Sequence, residues 1–380
     1  MIYLDNAATT PVRREALEAM WPLLAGGVGN PSSRHQVGEA AAAALSQARS
    51  AVAGVLRCRA GEVTFTSGGT EAANAAIKGI ALGAPRGRHL ITTPLEHEAV
   101  LESCDYLQRM HGFTVDLLTP DAEGRVDPDE LTTMLRDNTA LVSVHYANNE
   151  VGTVQPIAEL AARARLMKVP FHTDAVQAAG WLPLNVAELG VDALSISGHK
   201  VGAPQGVGAL FVRGRLPLEP LMHGGGQERG KRSGTENVAG AVALGVALQL
   251  AEAERIEAAA RVSGIREAFI SEVLQSTPSA RLTGGASHRL PANASFVFPG
   301  TSGEAVLLEL ERAGVVCSSG SACAAGSSEP SHVLTAMGIA GDVAQTAVRF
   351  TFSATTSAAD AQFAAQAVSA AVRAVSGLRG

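Results

Sequence analysis

The chain has 380 residues, of which 46% are hydrophobic, 17% charged and only 4% aromatic, with a formal net charge of -6. That length points to two domains rather than one, and the apolar content excludes wholesale disorder. The acidic balance disfavours nucleic acid or an anionic membrane as partner, and no stretch approaches the ~20 apolar residues of a membrane span.

Met1-Ile2-Tyr3-Leu4-Asp5 carries neither the basic nor the apolar region of a signal peptide, so a cytoplasmic protein is expected. Cys58, Cys104, Cys317 and Cys323 form no C-x-x-C pair, which fits a reducing compartment. Thr10 as N-cap and Pro11 at the first helical position predict a helix, with Val12, Ala16, Leu17 and Met20 at helical spacing behind an extended start. Residues 26–33 read as a loop and residues 36–57 as an alanine-rich helix. Short β-branched runs follow at 63–66, 89–93, 114–118, 141–144, 171–173, 193–197 and 209–212, with helices to about Leu82, Met110 and Met167. Such alternation predicts an α/β fold with a mostly parallel sheet covered on both faces.

Beyond the glycine-rich run from Met222 to Gly230, a helical stretch from Asn237 to Leu274 is expected to break softly at Ser263-Gly264. Strands at 294–298 and 347–352, with helices near 303–313, 331–338 and 358–376, read as a smaller α+β domain. The expected division is a large domain of residues 13–260 and a small one of residues 1–12 and 261–380, the extended N-terminus crossing over to the latter.

In open α/β sheets ligands sit outside the carboxyl ends of the strands, so the polar strand ends come first. Ser197-Gly198-His199-Lys200 closes one strand; a lysine there either reaches water or becomes an amine nucleophile able to form a Schiff base. Ser67-Gly68-Gly69-Thr70-Glu71 is a glycine turn opening a helix, suited to a phosphate or simply to capping. Asp174, with Gln177 three residues on, and His97 each have an ordinary reading as a cap and a loop histidine. Together, a phosphate cup, a lysine, a carboxylate and a flat imidazole are the parts that pyridoxal phosphate requires, the carboxylate keeping the pyridine nitrogen protonated. Cys323 lies among small residues in Ser318-Ser319-Gly320-Ser321-Ala322-Cys323-Ala324-Ala325-Gly326, where a thiol has little to pack against. Cys58 and Cys104 lie in helical settings and read as structural.

The stretches Tyr3-Leu4-Asp5-Asn6-Ala7-Ala8-Thr9-Thr10, Gly29-Asn30-Pro31-Ser32-Ser33, Phe65 to Glu71, Asn148-Asn149-Glu150-Val151-Gly152, Ser197 to Lys200, Arg232-Ser233-Gly234-Thr235-Glu236-Asn237 and Ser318 to Cys323 resemble, in order and spacing, the pyridoxal-phosphate-dependent cysteine desulfurases of the long-catalytic-loop group. This resemblance implies a transferase of fold type I that converts L-cysteine to L-alanine and carries the sulfur as a persulfide on Cys323. It further implies that Lys200 holds the cofactor and shuttles the Cα proton, that Asp174 pairs with the pyridinium, and that Asn149 and Gln177 bond the phenolic side. His97 would stack on the ring and assist proton transfer. Gly69, Thr70, Ser197 and His199 would hold the phosphate, Thr235 would reach that of the partner in a homodimer, and Arg349, Asn149 and Asn30 would meet the substrate. No resident metal is implied, although Cys323 could touch a cluster during transfer.

Ser233 and Glu236 also fit a capping box, a local reason for that stretch. The chain departs from the family pattern at Ala324-Ala325 and at Thr351-Phe352-Ser353-Ala354. The expected acceptor is an iron–sulfur scaffold or another sulfur-accepting protein. Alternatives are a selenocysteine lyase or aminotransferase of the same fold, or a non-catalytic sulfur-relay member.

Overall fold

The computed structural model describes residues 1–26, 29–83, 86–320 and 329–377. Among these, seven strands make the main sheet in the order Val63–Thr66, Gly208–Val212, Ala193–Ser197, Phe171–Asp174, Thr139–Ser143, His89–Thr92, Thr114–Leu117. The last five run parallel to one another, while Gly208–Val212 pairs antiparallel with both of its neighbours. The five inner strands are buried along their whole length, as expected of a sheet with helices on both faces.

A second, four-stranded antiparallel sheet has the order Ser318–Ser319, Ala347–Thr351, Asn293–Val297, Arg281–Leu282. The N-terminal strand Ile2–Tyr3 pairs parallel with Val315–Val316, and Asp5 bridges to Thr351. One apolar cluster gathers residues between Ala16 and Ala251, and another gathers Leu4 with residues from Val262 to Val375. No described helix is long and apolar enough to cross a membrane.

Several local expectations give way to tertiary bonds. The first helix spans Arg14–Ala25 with Arg13 at its N-cap, not Thr10. Both the N–H and the hydroxyl of Thr10 donate to the carbonyl of His199, so its capping group is spent elsewhere. The long helix Val238–Ser276 passes through Ser263-Gly264 without a break. It packs one end on each apolar cluster, and that burial outweighs the cost of about 1 kcal/mol for a helical glycine. Its cap is Asn237, whose side chain accepts from Gly240 N–H. The Ser233–Glu236 capping box does not form, since the Ser233 hydroxyl takes the Gly226 N–H instead. A short helix, Pro128–Met134, was signalled by Asp127-Pro128 but not anticipated.

In the second cluster Phe269 is buried and meets Phe296, Phe350 and Phe352 at centroid distances of 6.1, 5.0 and 5.4 Å. Phe269→Ala should lower the unfolding free energy by about 3–5 kcal/mol, visible as an earlier urea midpoint. A midpoint unchanged from the parent would contradict this packing account.

Candidate active site

The carboxyl ends of the parallel strands converge on a cavity of about 290 Å³, lined in part by Thr70, His97, Asp174, Ser197, His199 and Lys200. Strand Ala193–Ser197 ends in a single helical turn, Gly198–Lys200, that turns the lysine inward. Lys200 Nζ donates to the carbonyls of Ala7 at 2.5 Å and Ala8 at 2.6 Å. Those carbonyls belong to a segment outside any regular element, so they are available to a cation taken from water.

Asp174 ends the neighbouring strand, and its Oδ1 accepts the Val176 N–H at 2.9 Å. Burial pushes its carboxyl up, while the Val176 bond and the histidines 97 and 145 pull it down. Gln177 Nε2 donates to Ala7 O at 3.0 Å. His97 caps helix Glu98–His111, its Nδ1 accepting the Ala99 N–H at 3.0 Å. His199 Nδ1 lies 3.2 Å from Thr9 Oγ1; burial, then the Lys200 charge, hold its imidazole down at about 4, so it is neutral near neutral pH.

Helix Gly69–Gly83 begins with Gly69, where an added Cβ would come within 2.7 Å of Val176 Cγ2 and 3.4 Å of Ser197 Cβ. Only a glycine lets the helix start approach Val176 so closely. Arg349, wholly buried on strand Ala347–Thr351, donates to Asn149 O at 2.9 Å and to Asp5 Oδ1 at 2.7 Å. Its Nε is buried and has no partner among the described residues. Asp5 as the counter-ion of Arg349 is a contact that residue-by-residue reading missed.

Asn149 lines the cavity, whereas Asn148 serves the backbone: its Oδ1 takes the N–H groups of Glu150 and Val151 and its Nδ2 donates to Leu95 O. Glu150, buried with its carboxyl pushed up by burial, accepts from Ser331 Oγ at 2.5 Å. Asn30 and Thr235 are exposed and lie outside this cavity; Asn30 Oδ1 closes a turn onto Ser32 N–H. Cys323, with Ala324 and Ala325, lies outside the described residues. The three cysteines that are described are poor thiolates: burial pushes Cys58 and Cys104 up to about 12 and raises Cys317 as well.

These features suit pyridoxal phosphate: a buried carboxylate at one wall, a lysine amine at another, a glycine-walled helix start beside Ser197, and an arginine among the lining residues. Residues 2–363 match the class-V aminotransferases, and the chain belongs to that pyridoxal-phosphate-dependent family. Within it, the chain is 47% identical to "Cysteine desulfurase IscS" of Dictyoglomus turgidum over 95% of this chain and 92% of that one. It is 44% identical to "Putative cysteine desulfurase IscS 1" of Bacillus subtilis over 98% of both. A solved "NIFS-LIKE PROTEIN" superposes with a TM-score of 0.91 at 36% identity, covering 97% of this chain and 98% of that one. "SspA in complex with cysteine" superposes at 0.82 with 37% identity, covering 93% and 99%.

Beneath the site His172 is buried between Ser143 Oγ and Ser195 Oγ, both at 2.8 Å, and burial holds its ring down at about 3. Its folded pKa lies below the ordinary 6.5, so its contribution to stability is complete above about 6.5 and drains away as pH falls toward 3. His199 adds a smaller contribution of the same sign. His172→Gln should therefore flatten the stability–pH slope across that window by up to about 1.4 kcal/mol per pH unit. Denaturant titrations at a series of pH values check this, and parallel slopes for both proteins would refute it.

Proposed function

We propose that this chain is a cysteine desulfurase, converting L-cysteine to L-alanine and passing the sulfur through Cys323 to an acceptor. The observation that carries the reading is the convergence of Lys200, Asp174, His97, Ser197, His199 and Arg349 on one cavity. Lys200, Asp174, His97, Asn149, Gln177, Gly69, Thr70, Ser197 and His199 would hold pyridoxal phosphate, whose aldehyde and protonated ring draw electrons from the Cα of an amino acid.

In this reading Lys200 Nζ removes the Cα proton, released from the Ala7 and Ala8 carbonyls that hold it in the free protein. Asp174 would keep a proton on the pyridine nitrogen. His199, neutral near neutral pH, would donate to the phosphate together with Thr70 and Ser197, and His97 would cover the ring. Arg349 would receive the substrate carboxylate, assisted by Asn149; the resemblance assigns Asn30 there too, although Asn30 does not line this chain's own cavity. The Cys323 thiolate would attack the substrate sulfur, the new S–S bond forming as the substrate Cβ–S bond breaks and leaves its electron pair, then a proton, on the carbon that becomes the methyl group of alanine. The names of the relatives, and the high thiol pKa of the other three cysteines, support this assignment.

The reading extends to a homodimer in which Thr235 reaches the partner's phosphate, supported by its exposed place outside its own cavity. It also includes a cytoplasmic location, an iron–sulfur scaffold or other protein as acceptor, and two domains meeting near residue 260. Two apolar clusters bridged by the helix Val238–Ser276 support that division.

Purified protein should be yellow, and Lys200→Ala should lose that absorbance. Cys323→Ser should keep the colour yet release sulfide from cysteine at least about 1,000-fold more slowly. A colourless parent that cannot be reconstituted, or a Cys323→Ser enzyme with parental turnover, would falsify the corresponding assignment.

A further inference from the structure

Asp5 does not line the cavity, yet it touches the arginine that does. Its Oδ1 accepts from Arg349 Nη2 at 2.7 Å, with the arginine side chain 1% and the aspartate side chain 18% exposed. The backbone on both sides of Asp5 is fixed to the strand that carries Arg349. Thr351 lies two residues along that strand, its side chain on the same face as that of Arg349, and its hydroxyl accepts the Ala7 N–H at 2.8 Å. The Thr351 N–H donates to the Leu4 carbonyl at 2.7 Å, and Asp5 itself bridges to Thr351. The carboxylate is therefore built into the fold beside the guanidinium.

A guanidinium carries five N–H donors in a rigid planar fork. The Asp5 carboxylate takes one from Nη2, and the Asn149 carbonyl, at 2.9 Å, takes one from Nη1. A carboxylate entering the cavity would thus meet an arginine whose plane is set and whose charge is already matched. Two carboxylates on one guanidinium repel each other, and where little water reaches them that repulsion is poorly screened. L-Cysteine and L-alanine present the same carboxylate, so Asp5 would loosen the hold on substrate and product alike. Tight ground-state binding does nothing for turnover, and a product held by an unmatched buried arginine would block the next cycle.

We propose that Asp5 is a positioning residue that sets how tightly Arg349 holds an amino-acid carboxylate: it fixes the guanidinium plane and, by matching its charge, keeps the grip loose enough for L-alanine to leave. The inference rests on the reading of Arg349 as the receiver of the substrate carboxylate. Asp5 need not touch the substrate, since it acts through Arg349. A fixed counter-ion supplies orientation in advance, so the arginine is preorganised without surplus affinity.

The test titrates L-alanine into the full-length holoenzyme and follows the visible band of the cofactor. Ethylamine, which has the amine but no carboxylate, is titrated alongside. Asp5→Asn keeps an oxygen that can accept from Arg349 Nη2 and removes the charge. Its dissociation constant for L-alanine should fall about tenfold, while that for ethylamine stays at the parental value. Its KM for L-cysteine should fall as well, and added L-alanine should inhibit at lower concentration. Asp5→Ala removes the charge and the tie together, so it should gain less affinity for L-alanine than Asp5→Asn. Arg349→Ala, the control for the underlying reading, should lose affinity for L-alanine and keep that for ethylamine. Parental or weaker L-alanine binding in Asp5→Asn, or a change that ethylamine shares equally, with Arg349→Ala impaired, would overturn the role of Asp5 alone and leave it a structural tie. Should Asp5→Asn fail to fold, the alanine-to-ethylamine ratio of Asp5→Ala decides on the same terms. If Arg349→Ala binds L-alanine as the parent does, the assignment of Arg349 itself falls.

Discussion

The organisation of this molecule depends on how a lysine ammonium is held at a strand end with little water. Lys200 is satisfied by two carbonyls, those of Ala7 and Ala8, and these exist as acceptors because residues 4 to 10 form neither helix nor sheet ladder of their own. The segment is fixed from all sides. Ala7 N–H donates to Thr351 Oγ1, Asn6 Nδ2 to Thr351 O, and Thr10 to the carbonyl of His199, while Asp5 meets Arg349. One strap thereby ties Lys200, His199 and the buried Arg349 into a single arrangement, and it belongs to the C-terminal sheet as much as to the cavity.

Two buried polar atoms without a partner among the described residues, Arg349 Nε and His145 Nε2, belong to residues that line the cavity. Interiors seldom tolerate such atoms. The buried carboxylates Asp174 and Glu150 are both raised by burial and both restrained by neighbouring positive charge, the usual compromise at a functional site.

Strain collects in a second place. Glu228 and Arg229 sit at φ of 48° and 58°, a region that side chains avoid at a cost of order 1–3 kcal/mol each. The buried pair Arg49–Glu228, at 2.6 Å, and the Phe65 N–H on the same carboxylate hold that turn in place. It anchors the stretch leading to Thr235 on the first apolar cluster rather than leaving it to find its own shape.

Much of this was legible in the sequence. Strand ends bearing Asp174, Lys200 and Ser67-Gly68-Gly69-Thr70 follow from hydrophobic periodicity, because the polar residue that interrupts an apolar run marks where the sheet stops. What the sequence could not carry were choices between competing partners. Thr10 has the chemistry of a cap but bonds His199; Ser233 has it too, but takes the Gly226 N–H and leaves the cap to Asn237. Gly264 weakens a helix locally, yet two cores far apart in sequence keep Val238–Ser276 whole. The pairing of Asp5 with Arg349, 344 residues apart, and of Glu96 with His145, 49 apart, had no local signal. The sequence by itself determined which chemical groups stand at the strand ends, since periodicity and turn residues are local properties. Only the tertiary structure decided which of those groups neutralise one another and which stay open to a ligand, because burial and proximity arise when distant segments pack.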